Sequence, residues 1–64
     1  MKLNGKNLDF KENMTILTLL KSIGIEIDRV VVEINLDIVE NEQYDKYILK
    51  EDDVIEVIRF VGGG

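Results

Sequence analysis

Apolar and polar residues alternate at the start of the chain, and this pattern predicts a β-hairpin. Leu3 belongs to the first alternating run, and Leu8 and Phe10 belong to the second. Asn4-Gly5 stands between the runs and is the favoured dipeptide for a two-residue turn, because both residues tolerate a positive φ. The sequence therefore predicts two short strands joined at Asn4-Gly5.

In the segment MTILTLLKSIGI the apolar spacing changes to three and four residues, which predicts a helix of about three turns. Thr15 stands where an N-cap residue is expected. Gly24 follows the apolar pattern and suits the left-handed position that ends many helices. The face that we expect on the sheet consists of Ile16, Leu19, Leu20 and Ile23.

Two later runs, RVVVEIN and VIEVIRFV, are rich in β-branched residues and predict strands. Period-two alternation places Glu56, Ile58 and Phe60 together on the face of the last strand that looks away from the core. The expected core consists of Ile16, Leu20, Val32, Ile34, Ile55 and Val57. The whole pattern predicts an α+β fold, with one main helix on one face of a small mixed sheet.

Smaller elements are predicted between these two strands. LDIVE follows the first of them after a bend, and NEQYDKYIL predicts a short helical turn with Asn41 as its candidate cap. Tyr44 and Tyr47, three residues apart, are expected to be half-buried over a smaller secondary core rather than to stack on a ligand. The run EDD, residues 51–53, is expected to be a solvated turn.

Composition narrows the classes of function. The 64 residues contain no cysteine and no histidine, so thiolate chemistry and the commonest metal ligand are absent. Glu51-Asp52-Asp53 could offer oxygen ligands to a hard cation, but adjacent carboxylates in a turn point apart, and we expect no metal site. So short a chain has little room for a small-molecule pocket. We therefore expect a protein that is not itself an enzyme.

Charge and hydropathy indicate the surroundings in which the chain acts. A net charge of −5 disfavours nucleic acid and anionic membranes as partners and suits a basic face on another protein. No apolar run approaches the roughly 20 residues needed to span a bilayer, and the N-terminus lacks the apolar core of a signal peptide. We expect a cytoplasmic domain that is monomeric on its own.

The three final glycines follow the last predicted strand without a spacer. Glycine has no Cβ, so a glycine segment can pass through a narrow channel, and three residues extend to about 10 Å. A frayed terminus is the simplest interpretation. The exposed Ile58 and Phe60 beside the glycines instead favour a docking face with a working terminus. We predict a folded domain over residues 1–61 and a flexible tail over residues 62–64.

Four segments, MKLNGK, TILTLL, VVEIN and LKEDDVIEVIRFVGGG, make the chain resemble the ThiS family. These are ubiquitin-like β-grasp sulfur carriers of thiamine thiazole biosynthesis. The resemblance covers essentially the whole chain, but only its Gly-Gly end is specific for function. Where the family often has Gly-Asp before the last strand, this chain has Asp52-Asp53. Because aspartate tolerates a left-handed conformation better than most residues, we expect that turn to survive.

The resemblance implies a mechanism for the terminal glycines. A ThiF-like enzyme would use ATP to adenylate the carboxylate of Gly64, and sulfur-transfer proteins would convert it to a thiocarboxylate. A ThiG-like thiazole synthase would then take the sulfur. Gly62 and Gly63 would thread the partners' sites, and Ile58 and Phe60 would lie on the docking face. The chain itself would bind no cofactor.

Three alternative functions remain open at this point. A molybdopterin-type sulfur carrier would share the fold, the tail and the thiocarboxylate, although such carriers tend to be longer. A ubiquitin-like modifier would join Gly64 to lysine side chains. An inert β-grasp interaction module would use neither glycine nor carboxylate.

Overall fold

The computed structural model describes residues 1–60 of the chain. The predicted tail and the domain boundary at residue 61 lie outside this range. Within it the chain forms five strands and one α-helix. The elements are β1 (Lys2–Leu3), β2 (Lys6–Asn7), α1 (Ile16–Ser22), β3 (Val30–Ile34), β4 (Asp37–Val39) and β5 (Val54–Arg59). Two short 3₁₀ helices cover Ile27–Arg29 and Asn41–Gln43.

The strands form one mixed sheet in the order β2-β1-β5-β3-β4. β1 runs parallel to β5, and the other neighbouring pairs are antiparallel. The helix packs on one face of this sheet, as the sequence predicts. Because β5 lies in the middle of the sheet, the last strand of the chain is held on both sides.

The predicted first hairpin is confirmed. Asn4 and Gly5 have φ values of 50° and 81°, so both turn residues are left-handed. The Asn4 side chain also ties the turn to β5, since its Oδ1 accepts from the Val57 N–H at 2.8 Å. Its Nδ2 donates to the Val57 carbonyl at 3.3 Å. The turn is therefore fixed by local conformation and by a contact 53 residues away.

Helix α1 begins and ends at the predicted signals but is shorter than expected. Thr15 is the N-cap and forms a capping box with Thr18. Gly24 has a φ of 76°, and the N–H of Ile25 bonds to the carbonyl of Leu20 at 2.9 Å, which closes the helix as a Schellman motif. The helix therefore has seven residues, about two turns instead of three. Ile23 falls beyond its end and is 39% exposed, so its predicted place on the inner face is wrong.

All six predicted core residues are buried. Four more complete the core: Leu19, Val30, Tyr44 and Leu49. Partly buried residues surround this cluster, among them Leu3, Met14 and Val39. The helix and the sheet therefore share one continuous core.

The segment before β5 differs from its prediction. Tyr44 is only 2% exposed and belongs to the main core, whereas Tyr47 is half-buried as expected. The carbonyls of Tyr44 and Tyr47 accept from the N–H groups of Leu17 at 2.8 Å and Ile16 at 3.2 Å. The first N–H groups of a helix have no partner within it. The carbonyls of the two tyrosines therefore complete the start of α1, and the side chain of Tyr44 packs in the main core.

Two details of that segment are corrected as well. The short helix at Asn41–Gln43 is preceded by Glu40, with no side-chain cap, so Asn41 is not its cap. Asp53 is not solvated: it is 2% exposed and its carboxylate accepts from Asn35 Nδ2 at 3.0 Å and from the Lys50 N–H at 2.8 Å. Asp52 is exposed and does not adopt a positive φ, so no left-handed residue is required there.

Candidate functional site

One face of the sheet is covered by α1, and the other carries the predicted docking residues. In β5, Ile55 and Val57 point into the core, whereas Ile58 is 49% exposed on the opposite face. Phe60 follows directly after the strand and is 57% exposed. Val31 of β3 is the register partner of Ile58, which extends the apolar surface onto the neighbouring strand. The exposed position of Ile58 and Phe60 is confirmed, and their role in docking stays a prediction.

The end of β5 is held firmly up to the last described residue. Val30 and Arg59 are register partners, and the N–H of Phe60 donates to the carbonyl of Arg29 at 2.9 Å. Ile58 and Phe60 therefore stand on an ordered strand end that directly precedes Val61 and the glycines. The glycine positions Gly62, Gly63 and Gly64, which carry the expected chemistry, lie outside the described residues.

A shallow groove of about 190 Å³ borders this strand end. Its lining residues are Gly24, Ile25, Glu26, Arg29, Val30, Arg59 and Phe60. The chain has only two arginines, and both line this groove, although the protein as a whole is acidic. Small-molecule pockets commonly measure roughly 300–1,000 Å³, so the groove suits a peptide-like contact better than a cofactor.

The acidic and phenolic groups of the described residues are candidates for a metal or ligand site. Among residues 1–60 there is no group of three or more aspartate and glutamate side chains placed to hold a metal ion. Burial is the main cause that raises the pKa of both Tyr44 and Tyr47 above the ordinary 10.0. Both phenols are therefore neutral at pH 7, and buried Tyr44 offers no face on which a ligand could stack.

The sequence predicts a bend between β3 and β4 but not that the two strands pair as a hairpin around a left-handed turn. Asn35 and Leu36 form its turn with φ values of 51° and 75°, which repeat the conformation of Asn4-Gly5. Leu36 is 87% exposed and Ile38 is 67% exposed. Asn35 indicates a left-handed turn, because asparagine favours such turns, but leucine in the second position does not.

No helix within residues 1–60 is long and apolar enough to cross a membrane. This finding agrees with the sequence, in which no apolar run of that length occurs.

The described fold places the chain in a recognisable class. A mixed five-stranded sheet in the order β2-β1-β5-β3-β4, packed on one helix, is the ubiquitin-like β-grasp architecture. A crystal structure of a thiamine biosynthesis protein (ThiS) from Geobacter metallireducens matches with a TM-score of 0.78 and 32% identity. That match covers 98% of this chain and 96% of the other.

Sequence comparisons give the particular family. The model of the ThiS family matches residues 1–64, and the chain belongs to that family. The sulfur carrier protein ThiS of Bacillus subtilis is 43% identical over 65 residues, covering 100% of this chain and 98% of the relative. The resemblance seen in the sequence is thereby confirmed.

Two thiazole synthases also contain a segment similar to this chain. The one from Paramagnetospirillum magneticum is 36% identical and the one from Magnetococcus marinus 39% identical, each over 62 residues. Each match covers 97% of this chain but only 19% of the synthase. The chain therefore spans about a fifth of these longer relatives and nearly all of the Bacillus carrier.

Proposed function

We propose that this chain is the sulfur carrier of thiazole formation in thiamine biosynthesis, with the carboxylate of Gly64 as the group that holds the sulfur. The observation that carries the proposal is the full-length similarity to the Bacillus sulfur carrier, together with the family match over residues 1–64. The described domain supports it by exposing two large apolar side chains, Ile58 and Phe60, next to the glycines. It acts as a protein substrate of its partners and not as a catalyst.

The chemistry explains why such a carrier needs an activating enzyme. A carboxylate is a poor electrophile, because its oxygen atoms carry negative charge and neither is a good leaving group. A Gly64 carboxylate oxygen attacks the α-phosphorus of ATP, pyrophosphate leaves, and an acyl-adenylate forms. Sulfide (HS⁻) then attacks the acyl carbon, AMP leaves, and the product is a thiocarboxylate. The activating enzyme binds the ATP, and sulfur-transfer proteins supply the sulfide.

The first partner in this scheme is a ThiF-like adenylating enzyme. Ile58 and Phe60 are its docking residues in our proposal, because they are exposed, apolar and next to the glycines. Single exposed apolar side chains are common, so exposure alone does not identify a docking site. We assign this role to the pair because it lies next to the glycines. Gly62 and Gly63 pass through the enzyme's channel, since a residue without a Cβ needs the least room.

The second partner is a ThiG-like thiazole synthase, which accepts the sulfur. Support comes from the two synthases in which a segment similar to this chain belongs to the same polypeptide. A covalent link of that kind is useful when carrier and synthase act in contact, because it raises their effective concentration. Sulfur-transfer proteins complete the set of partners. We place the whole sequence of steps in the cytoplasm.

The alternatives carry less support. A molybdopterin-type carrier would also form a thiocarboxylate, but the similar solved structure is a thiamine biosynthesis protein and two similar relatives are thiazole synthases. A protein modifier and an inert interaction module require neither a sulfur donor nor a synthase.

Intact-mass spectrometry of the protein isolated from cells that make thiamine tests the proposal. A sulfur carrier shows the mass gain that follows when sulfur replaces one carboxylate oxygen, and the gain maps to Gly64. A ladder of conjugates would instead identify a modifier. Only the bare mass, with a thiazole synthase present and active, would contradict the proposal. Transfer of the sulfur to thiazole, with no transfer to a molybdopterin precursor, separates the two kinds of carrier.

A further inference from the structure

The turn between β3 and β4 holds a leucine where the chain's other hairpin holds a glycine. Asn4-Gly5 has φ values of 50° and 81°, and Asn35-Leu36 has 51° and 75°. The two turns are therefore the same conformation with different residues at the second position. A left-handed conformation brings the Cβ of an L-residue close to the following carbonyl oxygen, which is unfavourable for most residues other than glycine, asparagine and aspartate. Leu36 is thus strained where Gly5 is not.

The folded domain gains no packing from this leucine. Leu36 is 87% exposed, more than any other large apolar side chain among residues 1–60. The turn is held instead by Asn35, whose N–H donates to the Val54 carbonyl at 2.8 Å. The Asn35 side chain adds bonds to the Val54 N–H and to Asp53, each at 3.0 Å. A strained backbone together with an exposed apolar side chain points to function rather than to stability.

We propose that Leu36 is an anchor residue that inserts into an apolar pocket of the thiazole synthase. This step rests on the proposed function, and it adds a second contact region to the one beside the glycines. Ile38, two residues further along, is 67% exposed and widens the apolar tip. An exposed aliphatic side chain that becomes fully desolvated in a partner's pocket contributes the free energy of removing its apolar surface from water.

The position of the tip favours a partner that covers the length of the sheet. Asn35 lies beside the start of β5, and Phe60 lies beyond its other end. The six residues of β5 span about 20 Å, at roughly 3.3 Å each. A protein that received the glycines and also held Leu36 would therefore contact both ends of the open face. An interface of this length is normal for a specific complex.

Charge and covalent linkage indicate which partner this is. Asp37 follows Leu36 directly, Glu33 is the register partner of Ile38, and exposed Asp52 immediately precedes the Asp53 that binds Asn35. These acidic neighbours suit a pocket with a basic rim. Thiazole synthases that contain a segment similar to this chain hold carrier and synthase in one polypeptide, which favours the synthase over the adenylating enzyme as the protein that holds Leu36.

The matched test is Leu36→Gly, which copies the turn at Asn4-Gly5. Because glycine relieves the strain, the thermal midpoint of unfolding is expected to rise. Calorimetric affinity for the purified thiazole synthase is expected to fall by about tenfold or more, as for the loss of an anchor residue. Exchange of ATP with pyrophosphate by the adenylating enzyme is expected to be unchanged.

Two control variants separate the side chain from the backbone. Leu36→Asn introduces a polar residue that tolerates the left-handed conformation. This variant is expected to lose affinity for the synthase as Leu36→Gly does. Leu36→Met keeps an apolar side chain and is expected to retain most of the affinity.

Other results would overturn the anchor. If Leu36→Gly binds the synthase as tightly as the wild type does, Leu36 is not an anchor residue, and the proposed carrier function is unaffected. A lower thermal midpoint would show that Leu36 stabilises the folded domain instead. Loss of self-association in sedimentation experiments, without loss of synthase binding, would assign the tip to a second copy of this chain. A wild type that does not bind the synthase at all would refute the proposed partner as well.

Discussion

Replacing Asp53 with alanine is expected to destabilise the fold strongly, although Asp53 lies in a turn. Asp53 is 2% exposed, and its carboxylate joins the turn between β3 and β4 to the turn that precedes β5. One oxygen accepts from Asn35 Nδ2 at 3.0 Å and the other from the Lys50 N–H at 2.8 Å. The Asp53→Ala change removes both bonds and leaves two donors without their acceptor.

The expected cost follows from these two contacts. Hydrogen bonds to a charged group contribute roughly 1.5–3 kcal/mol each, and part of the loss is recovered where water reaches the freed donors. We therefore expect Asp53→Ala to lower the free energy of unfolding by about 2–4 kcal/mol. A domain of this size has a total of only about 3–10 kcal/mol, so the loss is a large fraction of its stability.

Urea unfolding followed by far-ultraviolet circular dichroism measures this effect, with the dependence on urea checked for an unchanged slope. Asp52→Ala is the matched control, because the neighbouring Asp52 is exposed and its replacement is expected to change stability by less than about 0.5 kcal/mol. Asp53→Asn keeps one acceptor oxygen and is expected to fall between the two. Equal unfolding midpoints for Asp53→Ala and Asp52→Ala would refute the assignment of Asp53 as a buried structural acceptor.

Three further predictions concern the core, the open face and pH. Val32→Asp is expected to unfold the domain, because Val32 is 0% exposed and the variant would bury a charge in the core. The control Val31→Asp, on the other face of β3, is expected to be tolerated. If Val32→Asp kept the circular dichroism and stability of the wild type, the strand register would be wrong. Ile58→Glu combined with Phe60→Glu is expected to preserve the fold and to weaken binding to the adenylating enzyme by about tenfold or more, and unchanged calorimetric affinity would reject the docking face. Burial raises the pKa of Tyr44 above 10.0, so the folded state holds the phenolic proton more tightly than the unfolded state does. The stability that neutral Tyr44 contributes is complete below about pH 10 and is lost as pH rises through the higher folded-state pKa. Tyr44→Phe should therefore reduce the loss of stability in alkaline thermal melts. If the pH profile of stability were unaltered in this variant, Tyr44 would not be its cause.

Local chemistry explains the parts of the fold that could be predicted from the sequence. Asn4-Gly5 makes its turn because of its own backbone preferences, and Thr15 and Gly24 mark the limits of α1 for the same reason. The core faces of β3 and β5 follow from period-two alternation, which requires no knowledge of the neighbouring strand. Such features depend on residues close together in the chain.

Contacts between distant segments account for what the sequence interpretation missed. Asp53 is buried because its partner Asn35, 18 residues earlier, is brought beside it by the pairing of β3 with β5. Tyr44 packs in the core, and its carbonyl accepts from the N–H of Leu17 in α1, which lies far from it in the chain. The turn at Asn35-Leu36 was hidden because leucine disfavours the conformation that the hairpin imposes on it.

The candidate site could be predicted only in part, for a different physical reason. Alternation along the last strand places Ile58 and Phe60 outside the core, and the structure confirms their exposure. Their binding function depends on a partner's surface, which the sequence of one chain does not contain. The chemistry at Gly64 was inferred from resemblance to a family, because a glycine carboxylate has no distinguishing side chain.

A reconstituted adenylation assay is the most direct test of whether the carboxylate of Gly64 carries the sulfur. It compares the wild-type chain with a variant that carries one alanine after Gly64, each with the ThiF-like enzyme, ATP and a sulfur donor, and intact mass verifies that the alanine stays attached. We expect the wild type to support exchange of ATP with pyrophosphate and to gain a thiocarboxylate. The extended variant should do neither, because its carboxylate lies one residue beyond the reacting position. Normal adenylation of the untrimmed variant would contradict the assignment of Gly64 as the sulfur-carrying residue.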